Sequence, residues 1–292
     1  MRRLCMVIAL VGVVVLAAAC SGDEGPATET GATEAIRIAS FDFAESSLLA
    51  ELYAQSLEAI GVPVARMGAV GPREIVAPAL ELDRIDLVPE YLGTATTFFK
   101  AAELGAIQAD ASLELDELLE RRGLLSLDAA SAEDVNAIVV SGHLAADLGL
   151  KRVSDLGPHA PDMRFGGPIE CPERPLCLLG LRDVYGLEFA TFKPQRSLAM
   201  TAEALTVGEI EVALMFTTSA ELDVQEMVIL DDDLGLQPPE NVIPVIRAEA
   251  LSVGEIEVAL MFTTSAELDV QNMVILDDDL GLQPSENVIP VI

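Results

Sequence analysis

Tryptophan is absent from the 292-residue chain, tyrosine occurs only three times, and aromatic residues make up 4% of it. Any site built on aromatic faces must therefore draw mainly on the nine phenylalanines. Basic residues are almost as scarce, with 17 Lys+Arg against 48 Asp+Glu and a formal net charge of −31. Without a basic footprint the chain has no means of gripping a phosphate backbone, which excludes nucleic acid as a partner, and it offers no polybasic patch to anionic lipid. Two histidines, His143 and His159, are available. No Ser/His/Asp or Cys/His set, glycine-rich phosphate loop or group of metal ligands is legible, so the chain reads as a non-enzyme with no metal and no cofactor. What is plentiful is apolar: 51% of the residues, enough for a sizeable core and for two ordinary domains.

Residues 1–20 read as a signal peptide. Arg2 and Arg3 precede an apolar stretch, Met6–Ala19, that is too short to span about 30 Å of hydrocarbon but suits an exported leader. It ends in Ala17-Ala18-Ala19-Cys20-Ser21, which resembles a bacterial lipobox and makes Cys20 the candidate for lipidation; an ordinary secretory signal cut near Ala19 is the alternative. Residues 21–35, led by the polar run Gly22–Thr33, read as a flexible tether. The expected place is the outer face of the bacterial cell membrane, with the membrane reached through the lipid anchor. In that oxidising setting Cys171 and Cys177, spaced C-x5-C, suggest a disulfide, with free thiols or zinc as alternatives.

Along the rest of the chain, strand and helix patterns alternate. Ala35–Ser40 reads as a strand, Glu45–Ile60 as a helix with Leu48, Leu49, Leu52 and Leu57 at helical spacing, and Val62–Ala65 as a strand. A helix at Arg73–Leu82 and a strand at Arg84–Val88, ending at Pro89, follow. Alternation of this kind predicts an α/β domain with a largely parallel sheet. A second block opens near Asn136, with strands at Ala137–Val140, Met163–Phe165 and Ile210–Phe216 and helices at Leu178–Tyr185 and Ala202–Val207. Gly208-Glu-Ile-Glu211 before its last strand echoes Leu82-Asp-Arg-Ile-Asp86 in the first block, which points to two similar lobes.

Residues 202–246 recur as 248–292, with only three differences: Thr206/Ser252, Glu226/Asn272 and Pro239/Ser285. Two near-identical copies do not make a solenoid. They read as a tandem duplication seeded at the shared Ala-Glu-Ala-Leu, with the first copy in the native position and the second, including Phe262 and Glu286, appended.

Several motifs in order resemble the substrate-binding proteins of osmoprotectant ABC transporters, the binders of glycine betaine, choline and carnitine. They are Ser40-Phe-Asp-Phe-Ala-Glu-Ser46, Arg84-Ile-Asp-Leu-Val-Pro-Glu-Tyr91-Leu-Gly-Thr94, Gly166-Gly-Pro-Ile-Glu-Cys-Pro-Glu-Arg174-Pro, Gly208-Glu-Ile-Glu-Val-Ala-Leu-Met-Phe216 and Gly235-Leu-Gln-Pro-Pro-Glu-Asn-Val-Ile-Pro-Val245. The resemblance covers roughly residues 36–247. It implies a two-lobed type II periplasmic-binding fold with a ligand cleft between lobes. Lobe one would comprise 36–135 plus 217–247, and lobe two 136–216. It also implies a monomer that takes a small quaternary amine and hands it to an ABC permease, and a family whose C-terminal helices this chain lacks.

By the same resemblance Tyr91 matches a cage tyrosine, Thr94 a hydroxyl on the carboxylate side, Arg174 the carboxylate partner from lobe two, and Phe216 a second cage position. Phe41 lies where some relatives place a ligand-binding lysine, and Ala137 and Ala202 lie near positions that are aromatic in others, so a box of four tyrosines is impossible here. On pattern alone Tyr91 and Phe216 could be packing residues, Thr94 a helix cap and Arg174 a solvated charge. Phe43 reads as core, Phe41 as facing the cleft, and Asp231–Asp233 as a solvated turn. The alternatives are a surface lipoprotein that binds a different small ligand for sensing or presents its lobes to a partner, and a truncated or duplicated non-functional variant.

Overall fold

The computed structural model describes residues 35–104 and 114–251. The expected signal peptide, its Cys20, nearly all of the tether and nearly all of the second repeat copy lie outside them. The chain runs β1 (Ile36–Ser40), α1 (Ala44–Ala59), β2 (Val64–Ala69), α2 (Arg73–Glu81), β3 (Leu87–Tyr91), α3 (Leu92–Leu104), α4 (Leu115–Glu120) and β4 (Leu124–Ser126). It continues through β5 (Asn136–Ser141), α5 (Gly142–Leu148), β6 (Arg164–Gly167), α6 (Leu178–Tyr185), β7 (Thr191–Pro194), α7 (Leu198–Thr206) and β8 (Val212–Phe216). It closes with α8 (Glu221–Val224), β9 (Met227–Ile229), β10 (Val242–Arg247) and α9 (Ala248–Leu251).

These strands form two five-stranded sheets, ordered β2-β1-β3-β10-β4 and β7-β6-β8-β5-β9. The wiring is the same in both. In the first, β1 lies parallel to β2 and β3, and β10 runs antiparallel between β3 and β4. In the second, β6 lies parallel to β7 and β8, and β5 runs antiparallel between β8 and β9. The fold is therefore mixed α/β, with one antiparallel intruder in each sheet. Both faces of each sheet are covered, which is why the strands read as apolar runs. On β5, Ile138 and Val140 join one core while Ala137 and Val139 join another on the opposite face.

The two halves also share an electrostatic device. Asp86, just before β3, accepts from the backbone N–H of Arg37 at 2.8 Å and from its guanidinium at 2.8 and 2.7 Å. Glu211, just before β8, accepts from the backbone N–H of Arg164 at 2.7 Å and from its Nε at 3.0 Å. The echo between Leu82–Asp86 and Gly208–Glu211 is thus a repeated clamp of one strand's start onto its parallel neighbour.

Three expectations change. Residues 217–247 do not return together to the first lobe: β9 pairs with β5 in the second sheet, and Val228 and Leu230 pack in the second core. The chain crosses back only at Glu240–Val242. Strand β3 does not stop at Pro89. It runs to Tyr91, because Pro89 sits opposite Pro244 on β10, a rung on which neither residue could donate. Helix α1 faces the core through Tyr53, Ala54 and Leu57, whereas Leu48 is 59% exposed. Gly61, at φ +88°, ends that helix as expected.

The two crossing segments run side by side. The backbone N–H of Asp134 donates to the carbonyl of Glu240 at 3.0 Å, that of Val242 to Ala132 at 3.1 Å, and Glu133 bridges Asn241. At the end of the described chain, Ala248–Leu251 opens the second repeat copy. It is helical, as Ala202–Leu205 is within α7, but the first copy buries Ala202, Ala204 and Leu205 and the second is exposed or half-buried.

Candidate functional site

The site lies at the carboxyl ends of parallel strands in both sheets, where α/β folds place ligands. Past the end of β1 the chain turns through Phe41-Asp42-Phe43 into α1. The Phe41 N–H donates to Ser46 Oγ at 3.0 Å, which fixes the turn. Strand β3 ends in Tyr91 and β8 ends in Phe216. The rings of these segments gather. Phe43 lies 5.0 Å from Phe216, 5.9 Å from Tyr91 and 6.0 Å from Phe41, centroid to centroid, and Phe41 lies 6.4 Å from Tyr91.

Phe43 is thus the centre of the cluster and the residue that reaches the second sheet. Phe41, read from sequence as facing the cleft, is buried behind it, with the Arg73 guanidinium 5.2 Å from its ring centroid. The exchange has a simple cause. Both residues lie past β1, which ends at Ser40, so strand alternation assigns neither to a face; the turn into α1 does.

Behind the rings lies a buried polar network. Arg73, at the start of α2, donates to both Glu90 carboxylate oxygens at 2.8–3.1 Å and to Thr94 Oγ1 at 2.8 Å. Its side chain is 12% exposed and that of Glu90 2%. Burial alone would lower the Arg73 pKa; the charge of Glu90 beside it more than offsets this and holds it above its ordinary value. Glu240, from the returning crossover, accepts from the backbone N–H groups of Gly93 and Thr94 at 3.1 and 3.0 Å, capping α3. Its other oxygen, Oε1, has no hydrogen-bond partner among the described residues. Burial pushes this carboxyl up to about 7. Gly93 has no substitute here, since a Cβ would sit 2.4 Å from Pro238 and 2.7 Å from the Pro239 carbonyl.

A second pair of acids stands on the ring side. Tyr91 Oη donates to Glu45 in the first turn of α1 at 2.9 Å. Burial, and after it the Glu45 charge, raises the Tyr91 pKa. Asp134, on the outgoing crossover, is buried, accepts from Thr218 Oγ1 at 2.8 Å and lies within hydrogen-bonding reach of Glu45. Burial, then the Glu45 charge, pushes Asp134 up to about 6.

Of the sequence candidates, the structure brings Phe41, Tyr91 and Phe216 together through Phe43. The Thr94 hydroxyl belongs to the network behind them, held by Arg73 and Glu240. Arg174 stands apart from the rings in a two-pronged pair with Glu74 on α2, at 3.0 and 2.8 Å. Its loop is closed by a Cys171–Cys177 disulfide with Cα atoms 5.3 Å apart. Asp232 and Asp233 are structural: Asp232 accepts from Tyr185 Oη and the Leu236 and Gln237 N–H groups, Asp233 from Ser154. Sequence reading missed Phe43, Glu45, Asp134, Arg73 and Glu74. The motif around Phe41 contains Phe43 and Glu45, but nothing in one sequence shows that Asp134 meets them from the far crossover.

Two lobes of matching topology, a pair of adjacent crossovers and an aromatic cluster spanning both sheets define a solute-binding protein of the type II periplasmic fold. Comparison with known proteins agrees. Residues 34–252 match the family described as the substrate binding domain of ABC-type glycine betaine transport system, and the chain belongs to that family, which is one of extracytoplasmic binding proteins rather than enzymes. The chain is 25% identical over 230 residues to the glycine betaine-binding protein YehZ of Escherichia coli (strain K12), covering 74% of this chain and 75% of YehZ. It is 24% identical over 210 residues to the ergothioneine transport permease/ergothioneine binding protein EgtU of Helicobacter pylori (strain G27), of which it spans 36%. Among solved structures it resembles a glycine betaine/carnitine/choline ABC transporter protein at a TM-score of 0.59 and 22% identity, over 78% of this chain and 86% of the other.

Proposed function

We propose that the protein is an extracytoplasmic lipoprotein, anchored through Cys20, that captures glycine betaine or a related quaternary-amine osmolyte between its lobes and delivers it to an ABC permease. The single observation behind this is the ring cluster. A quaternary ammonium cannot donate a hydrogen bond and is held by aromatic faces, each contributing roughly 0.5–2 kcal/mol. Phe43 and Tyr91 from one lobe and Phe216 from the other offer such faces at the strand ends. A ligand seated among them touches both lobes, which couples capture to closure. Thr94 and Arg174 stand on the carboxylate side of this assignment. Thr94 is already part of the Arg73 network, and Arg174 meets a ligand carboxylate only by releasing Glu74.

The test is a thermal melt of the purified protein with and without millimolar glycine betaine, choline, carnitine and proline betaine. A ligand at 100 times its Kd stabilises the native state by about 2.7 kcal/mol, an easily read shift. A cooperative melt that none of these moves would contradict the assignment. Loss of lipid labelling in Cys20→Ala would test the anchor, and labelling that persists would count against it.

A further inference from the structure

We infer that the site is built for a quaternary ammonium ligand carrying net positive charge, of choline type, in preference to a zwitterion with its own carboxylate. The inference narrows the ligand of the function proposed above and rests on that reading. Three observations carry it.

The rings of Phe43, Tyr91 and Phe216 attract the ammonium and offer nothing to a carboxylate. At the hydroxyl edge of that wall stand two acids from different segments. Glu45 is half-buried and holds Tyr91 Oη at 2.9 Å, and Asp134 is buried beside Glu45 and anchored by Thr218. Finally, Arg73 behind the rings and Arg174 in its own loop are both occupied. Arg73 is gripped by the two oxygens of Glu90, and Arg174 by the two oxygens of Glu74, with Glu170 a further 3.8 Å contact.

A ligand carboxylate entering here faces Glu45 and Asp134, and gains Arg174 only by taking it from Glu74. A quaternary ammonium alcohol meets no such opposition. Its ammonium rests on the rings, within the field of both acids, and its hydroxyl can donate to either. Burial, then the Glu45 charge, pushes Asp134 up to about 6, which marks the acid pair as short of a positive charge. A bound cation supplies that charge. The protein-wide charge of −31 works in the same direction, concentrating cations and repelling anions.

The experiment is isothermal titration of the purified protein with choline and with glycine betaine at pH 7.5 and low salt, repeated on Glu45→Gln and Asp134→Asn. The expected result is a choline Kd lower than the betaine Kd by about tenfold or more, and a ratio that shrinks in either variant chiefly because choline weakens. Lowering the pH of the wild-type titration to 5 should likewise weaken choline more than betaine, as Asp134 gains its proton against Glu45, Tyr91 and Thr218. That arm stands even where a variant fails to fold. Betaine binding as tightly as choline, or a ratio unmoved in folded variants and by pH, would overturn the inference while leaving the transport reading intact. A folded protein that binds no quaternary amine would instead bring down the transport reading, and this inference with it.

Discussion

The two halves of the molecule share strand order, strand directions and the acid clamp before the third parallel strand, yet they place their remaining charges differently. Around the first sheet, Arg73, Glu90 and Glu240 form a network with side chains almost out of solvent, packed against Phe41 and the start of α3. Around the second, the Arg152–Asp155 pair, like the clamp pair Arg164–Glu211 itself, lies at or near the surface, and a disulfide and Asp232 and Asp233 pin the loops instead. The first half also supplies three of the four rings and Glu45; the second supplies Phe216 and the Arg174 loop. One architecture thus yields one half loaded with buried charge and another stapled by a disulfide.

The sharpest way to break this comparison is to remove one guanidinium from each half. Arg73→Ala leaves Glu90 buried without its partner and should cost about 3–5 kcal/mol in urea unfolding. Arg164→Ala, at a solvent-screened pair, should cost much less, and equal losses would show that the halves do not differ in this way. Next in size is the staple. Replacing Cys171 and Cys177 by Ser together opens a loop with a sequence separation of 6 and should remove about 2 kcal/mol by chain entropy, read as a drop in Tm confined to the oxidised protein.

A third test uses pH. Glu240 and Asp134 titrate in the native state at about 7 and about 6, above their unfolded values, with burial the main cause in each. The native state therefore keeps protons that the unfolded state has released, and the stability they contribute is lost as pH rises toward and through those values. Glu51, Glu58, Glu74 and Glu211 are held low by arginine partners despite some burial, so what they contribute is lost on the acid side, below about pH 4.5. Tm should peak near pH 5 and fall toward pH 8, and Glu240→Gln, which keeps the cap oxygen on Gly93 and Thr94, should flatten the alkaline limb. An unchanged limb would mean that Glu240 is not the group responsible. The smallest effect belongs to the contact between halves: Arg174→Ala should change stability by about 0.2–1 kcal/mol, because Arg174 and Glu74 are 29% and 37% exposed.

Much of this architecture could be read along the chain. The helix Leu178–Tyr185 and the strand Ala137–Val140 follow from apolar period and flanking glycine, and the echo of Asp86 in Glu211 gave the two-lobe organisation. What escaped depended on contacts between distant segments. Pro89 stays in a strand only because Pro244 faces it. Met227–Ile229 belongs to the second sheet because β5 offers an open edge there, which a motif order running straight from Phe216 to Val245 does not reveal. Among the rings that gather at the candidate site, Tyr91 and Phe216 were named through motif resemblance. Phe43 was not, since it lies in the turn between β1 and α1, where no period applies and only the fold shows which ring meets Phe216. Glu45 and Asp134 meet only after both crossovers are in place.

The central claim is that rings from both halves hold a quaternary ammonium. A crystal structure of the protein with choline tests it most directly. The account predicts the ammonium nitrogen within about 6 Å of the Tyr91, Phe43 and Phe216 ring centroids, with the hydroxyl toward Glu45 or Asp134. Choline bound elsewhere, with Phe43 still packed on Phe216 and no cation between the acids, would contradict it.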